Sequence, residues 1–107
     1  MTRRPPYKIE ITHGAAAHID RLTAGERKTV LDSLEHQLAF EPTKETRNRK
    51  RLRPNPVGPW ELRIGDLRVY FEVDDEWYRK VRILAVGVKE RSCVFIGGEK
   101  VELKRRA

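Results

Sequence analysis

Apolar residues alternate with polar ones from Trp60 to Val73, WELRIGDLRVYFEV, and no other stretch of the chain keeps so regular a period. A period of two is that of a strand with one buried face, and the Gly65-Asp66 pair in its middle is a strong signal for a two-residue hairpin turn. Placing Ile64 opposite Leu67 sets Arg63 across from Arg68, Leu62 across from Val69 and Trp60 across from Phe71. One face then carries Trp60, Leu62, Ile64, Leu67, Val69, Phe71 and Val73. The other carries Glu61, Arg63, Arg68, Tyr70 and Glu72. Two arginines abreast on a sheet repel one another. Either an anion such as a phosphate lies between them, or both splay into solvent on their long stems.

The flanking patterns predict what covers this hairpin. Tyr7, Ile9 and Ile11 alternate with Lys8 and Glu10, giving a short first strand over 7–11. Thr12 caps an expected helix over 13–22, with Ala15, Ile19 and Leu22 on its apolar side. Thr23 and Glu26 form a capping box for a second helix, whose buried stripe is Val30, Leu31, Leu34 and Leu38, and Pro42 ends it. The two helices are expected to lie as a hairpin on one face of the sheet. His13, His18 and His36 read as surface residues. Downstream, Val81 to Val88 is apolar on both faces and reads as an interior strand, within which Gly87 marks a bulge or a close approach. Val94-Phe95-Ile96 gives a short last strand before Gly97-Gly98, and the tail from Glu99 reads as mobile. The fold class is α+β: a small antiparallel-rich sheet with an N-terminal strand and a two-helix hairpin on one face. One domain over 7–103 is expected, with loose termini at 1–6 and 104–107.

Charge changes the picture at one place. The 107 residues carry a net charge of +7, which favours a polyanionic partner, either nucleic acid or an acidic protein. Between Pro42 and Pro59 the periodicity lapses, and Lys44, Arg47, Arg49, Lys50, Arg51 and Arg53 lead straight into the arginine-bearing hairpin. Connections of that length are usually functional or disordered. Such a segment attracts a phosphate backbone without reading sequence, and it suits acidic side chains of a protein equally well. A single cysteine, Cys93, excludes an internal disulfide and fits a reducing cytoplasm. No apolar run marks a leader or membrane anchor, so no membrane association is expected. No glycine-rich phosphate loop, Ser/His/Asp set, paired carboxylates or metal-ligand spacing is present.

Three stretches carry a resemblance: Leu52-Arg53-Pro54-Asn55 leading to Gly58-Pro59-Trp60-Glu61-Leu62-Arg63; Asp66-Leu67-Arg68-Val69-Tyr70-Phe71; and Val86-Gly87-Val88-Lys89-Glu90-Arg91. With the order strand, two helices, basic loop, hairpin, buried strand, the chain over 7–103 resembles the RelE/ParE superfamily of toxins from bacterial type II toxin–antitoxin modules. The last two stretches favour the RelE branch over the gyrase-directed ParE branch. The resemblance implies a ribosome-dependent mRNA endoribonuclease that uses the RNA's own 2′-hydroxyl as nucleophile, without metal or cofactor. It implies two partners, mRNA in the ribosomal A site and a cognate acidic antitoxin.

By that resemblance Arg68 matches the arginine gripping the scissile phosphate, Arg63 a second basic residue, and Lys89 a position often held by arginine. Two departures stand out. Phe95 occupies the place of a catalytic tyrosine, and Glu61 that of a lysine. Glu61 and Tyr70 are left as candidate proton handlers. Arg47, Arg49, Lys50, Arg51, Arg53 and Arg91 are the candidate RNA-binding residues. A gyrase-directed toxin, or a weakened member that only binds nucleic acid or antitoxin, stays open beside the nuclease reading.

Overall fold

The computed structural model describes residues 5–102, and the tail expected to be loose at 104–107 lies outside them. The hairpin forms as β3 (Trp60–Ile64) and β4 (Leu67–Asp74), with Arg63 opposite Arg68 and Trp60 opposite Phe71. Of the two turn residues only Gly65 has a positive φ, 58°, as a type II′ turn requires. The interior strand β5 (Lys80–Glu90) runs antiparallel to β4. Its register slips by one residue between Tyr70 and Phe71, leaving Leu84 as the extra residue of a bulge.

The free edge of β5 is shared by two strands. β1 (Lys8–Ile11) pairs in parallel with Lys80–Ile83, and β6 (Cys93–Ile96) pairs antiparallel with Gly87–Glu90. Gly87 answers to a close approach rather than to the bulge, since a Cβ there would sit 2.6 Å from the Phe95 carbonyl oxygen. Two strands escaped the sequence reading. The basic connection contains β2 (Arg49–Arg51), paired with Trp60–Leu62, and the expected mobile tail begins with β7 (Glu99–Val101), paired with β6. Gly97 and Gly98 both have positive φ and turn β6 into β7.

The helices α1 (His13–Asp20) and α2 (Ala24–Leu38) cover one face of the sheet. Thr12 caps α1, which stops two residues before the predicted end, although Leu22 is still buried. Thr23 and Glu26 form the capping box at α2, with bonds of 3.1 and 3.0 Å. Ala15, Ile19, Val30, Leu34 and Leu38 pack on Leu62, Val69, Phe71, Val81, Ile83 and Val86. Leu31 does not join them: its side of α2 faces solvent and it is 42% exposed.

Among the described residues no strand borders β5 between β1 and β6, and Thr12 and α1 supply the partners there. Thr12 donates to the Ile83 carbonyl through its backbone N–H, at 3.1 Å, and its hydroxyl, at 2.8 Å. The Val86 N–H donates to His18 Nδ1 at 3.2 Å. His18 is thus a half-buried structural residue and not the surface residue its sequence setting suggests. Burial lowers its pKa from the ordinary histidine value.

Candidate functional site: the helix-free face of the sheet

Alternation along β3, β4 and β5 sends a second set of side chains to the face without helices. Register places Lys50, Glu61, Tyr70 and Ala85 in one row across it, and Arg63, Arg68 and Gly87 in the next. Lys89 lies two residues beyond Gly87, and its N–H donates to the Asp66 carbonyl at 2.7 Å. Five sequence candidates, Lys50, Glu61, Arg63, Arg68 and Lys89, therefore share one face with Tyr70. A small apolar group of Ala85, Val94 and Ile96 borders them, backed by Leu52, Val57 and Val101.

The arginines are abreast but unlike. Arg68 is only 7% exposed, and its Nη1 donates to the Gly65 and Leu67 carbonyls at 2.7 and 2.9 Å, so it braces the hairpin turn. The Arg63 side chain is 39% exposed, and its Nε donates to Glu61 Oε1 at 3.0 Å. Two open guanidinium groups side by side, the cradle the sequence suggests, are thus not what forms. Arg63 offers its terminal nitrogens, half-buried Lys89 lies on β5 two residues beyond the Arg63–Arg68–Gly87 row, and Arg68 contributes charge from within the sheet. Among the described residues Lys89 has no ion-pair partner.

Glu61 and Tyr70 are both fully buried, and the Tyr70 hydroxyl donates to Glu61 Oε2 at 2.9 Å. Neither reaches solvent, which corrects their reading as proton handlers at a substrate. The segment 52–59 packs over Tyr70. Asn55 folds it: its amide donates to the Arg53 and Gly58 carbonyls at 2.7 and 2.9 Å, and its Oδ1 accepts from Val57 and Gly58 N–H at 2.8 and 3.1 Å. Gly58 is pressed against the sheet, where a Cβ would lie 3.5 Å from that of Tyr70 and 3.0 Å from Leu84. The connection is therefore a built cover, and nothing in its proline-rich composition gave the Asn55 signal beyond the asparagine itself.

The remaining candidates scatter. Arg49 points to the helix side, where Nε donates to the Lys44 carbonyl at 2.7 Å and Nη1 to that of Gln37 in the last turn of α2. It is 6% exposed, burial lowers its pKa, and nearby Glu41 opposes that shift. Arg49 is a helix-end clamp and leaves the RNA-binding set. Arg51 alternates to the same side and lies 5.7 Å over the Trp60 ring. Arg47 and Arg53 are exposed on either side of β2, and Arg91 is exposed in the β5–β6 turn with φ of 60°. Phe95 is the register partner of Val88, whose side chain packs in the helix-side core, so its position does not face the basic cluster.

The far end of the same face is charged but internally neutralised. Arg82 bridges Glu10 and Glu72 at 2.8 Å each, and Lys80 reaches Glu10 at 3.3 Å. Hydrogen bonds from Arg82, then Lys80, lower the Glu10 pKa. A cleft of about 660 Å³ there is lined by Glu72, Asp74, Asp75, Glu76 and Trp77 with those two cations, a poor setting for an anion. Among the described residues no group of three or more His, Cys, Asp or Glu is placed to hold a metal ion. No described helix is long and apolar enough to cross a membrane.

No protein-family model and no curated protein matches the sequence. Among solved structures, the chain is similar to one in the crystal structure of the toxin–antitoxin complex RelBE2 from Mycobacterium tuberculosis. The TM-score is 0.68 at 27% identity, covering 86% of this chain and 99% of that one. Two helices on an antiparallel-rich sheet are thus a RelE-like α+β fold, and the likeness supports a toxin of a toxin–antitoxin pair.

Proposed function

We propose that this chain is the toxin of a type II toxin–antitoxin module, a ribosome-dependent mRNA endoribonuclease whose helix-free face receives the RNA backbone. The observation that carries the reading is the gathering of Arg63, Arg68 and Lys89 on one face, with the terminal nitrogens of Arg63 unused among the described residues. In the reaction the 2′-oxygen attacks the adjacent phosphorus and the P–O5′ bond breaks, leaving a 2′,3′-cyclic phosphate and a 5′-hydroxyl. Fixed cations stabilise the charge that builds on the phosphate oxygens. With Glu61 and Tyr70 buried, the protons pass to and from water or ribosomal groups. The antitoxin partner is an acidic protein that neutralises the same basic surface.

A second reading has its own observation. Burial takes the Glu61 carboxylate and the Tyr70 hydroxyl away from solvent beside Arg63 and Arg68, which suits a toxin that binds without cutting. Expression in cells of wild type, Arg63→Ala and Lys89→Ala, with primer-extension mapping of message ends, separates the two. The nuclease reading expects growth arrest with cuts at A-site codons, weakened at least tenfold in each variant. Arrest with intact messages selects the second reading, and absence of arrest rejects both.

A further inference from the structure

The contact between Glu61 and Arg63 has an unusual form. An arginine and a carboxylate left to themselves favour a two-pronged contact through both carboxylate oxygens. Here Glu61 takes only Nε, through Oε1, while Oε2 is held at 2.9 Å by the Tyr70 hydroxyl. Both Glu61 and Tyr70 are fully buried, and Gly58 of the segment 52–59 lies against Tyr70, so the bond between the two side chains is shielded from water. Among the described residues, neither terminal nitrogen of Arg63 has a protein partner, and its side chain is 39% exposed.

We infer that Tyr70 is a positioning residue: by occupying Oε2 it holds Glu61 in single-point contact with Arg63 and keeps the arginine's terminal nitrogens presented for an RNA phosphate. This rests on the proposed RNA-binding face. Guanidinium recognition of phosphate is strongest through two parallel N–H donors, and the terminal pair of Arg63 is the one left for it. Without the Tyr70 hydroxyl, Oε2 loses the bond that draws it away from Arg63, the carboxylate turns further onto the guanidinium, and fewer of the arginine's N–H donors are left for phosphate. The low dielectric under the segment 52–59 strengthens both bonds of the chain Tyr70–Glu61–Arg63.

The test uses the full chain and a fluorescent single-stranded RNA oligonucleotide carrying 2′-O-methyl groups, which cannot be cut, with affinity read by anisotropy over a salt series. Tyr70→Phe removes no charge and no solvent-facing atom, yet it is expected to weaken binding roughly tenfold, the worth of one charge-assisted hydrogen bond. Its salt dependence should stay that of wild type, whereas Arg63→Ala should lower the slope by about one phosphate contact. Glu61→Gln gives a difference of sign. A carboxylate that only neutralises charge would, on removal, leave the face more attractive to RNA; one that aims Arg63 would, on removal, leave binding weaker. The ¹⁵Nε signal of Arg63 provides a readout that a role in stability alone would not move, and it should shift in Tyr70→Phe while core amide signals keep their places. Wild-type affinity in Tyr70→Phe, or tighter binding in Glu61→Gln, overturns the positioning role and leaves the RNA-binding face standing. Equal affinity of wild type and Arg63→Ala overturns that face, and the positioning role with it.

Discussion

Phe71 and Tyr70 are neighbours in β4, both are fully buried, and they are buried for different reasons. Phe71 faces the helices, stacks 6.0 Å from the Trp60 ring, and belongs to a core of Leu34, Leu38, Val69 and Val81. Tyr70 faces the other way, under the segment 52–59, and places its hydroxyl on a buried carboxylate. One side of the sheet is closed by a large apolar core under two helices, the other by a small apolar group and polar bonds under a short cover. Stability is therefore expected to reside mainly on the first side and the presentation of charge on the second. The sharpest trial of that division is a pair of substitutions one residue apart. Phe71→Ala should cost about 3–5 kcal/mol, because a large void opens against two helices that cannot collapse into it. Tyr70→Phe should cost no more than about 1–3 kcal/mol, the range for leaving a charged acceptor one bond short. Urea denaturation of the two variants measures both, and equal losses would erase the distinction.

Arg49 crosses the division. It belongs by sequence to the basic run and by geometry to the helix side, where it ties the loop carbonyl of Lys44 to the last turn of α2. Arg49→Ala should cost about 1.5–3 kcal/mol, since buried carbonyls lose a charged donor, and should leave RNA affinity near wild type. Exposed Arg53 should behave in the opposite way, with stability within about 0.5 kcal/mol and weaker RNA binding. A stability loss at Arg53 matching that at Arg49 would show the basic run to be structural throughout. Gly87 tests the helix-free side by space alone. An added methyl would meet the Phe95 carbonyl oxygen at 2.6 Å and Ile96 at 2.8 Å, so Gly87→Ala should cost about 1–3 kcal/mol by forcing β6 away from β5. Hydrogen exchange should then quicken in β6 and β7 before it does in β3 and β4.

These variants also mark what could be read in the sequence. The period of two and the Gly65 turn fixed the face of every residue from Trp60 to Val73, because a slip of one residue would have buried the whole polar set. Thr23 and Glu26 announced α2 because a capping box is a local device. Arg49 was not legible, since its role depends on where α2 ends in space. Neither was β2, a strand of three charged residues whose pairing is decided by β3. The burial of Glu61 and Tyr70 was hidden for a related reason: alternation shows which face a residue takes, and it does not show that a distant asparagine folds a lid over that face. Arg63 and Arg68 were rightly set abreast, but the turn carbonyls that draw Arg68 inward leave no trace in composition.

The smallest effect is expected where a single bond closes the β5 edge. His18 Nδ1 accepts the Val86 N–H and must therefore be unprotonated, and the Gly97 turn lies close against the ring. Burial lowers the His18 pKa in the fold, whereas the unfolded chain has the ordinary value of about 6.5. Between those two values the unfolded state binds more protons, so stability rises with pH there. The contribution is complete above pH about 6.5 and declines as pH falls through the folded-state value. Carboxylates titrate in the same direction at lower pH, so the informative quantity is the difference between wild type and His18→Gln, which packs a polar side chain at the site but does not titrate. Melting temperatures of both proteins, followed from pH 8 downward, should draw together as His18 takes up its proton. Parallel curves would mean that the helix contributes only packing to this edge, and that the β1–β6 gap is closed by Thr12 alone.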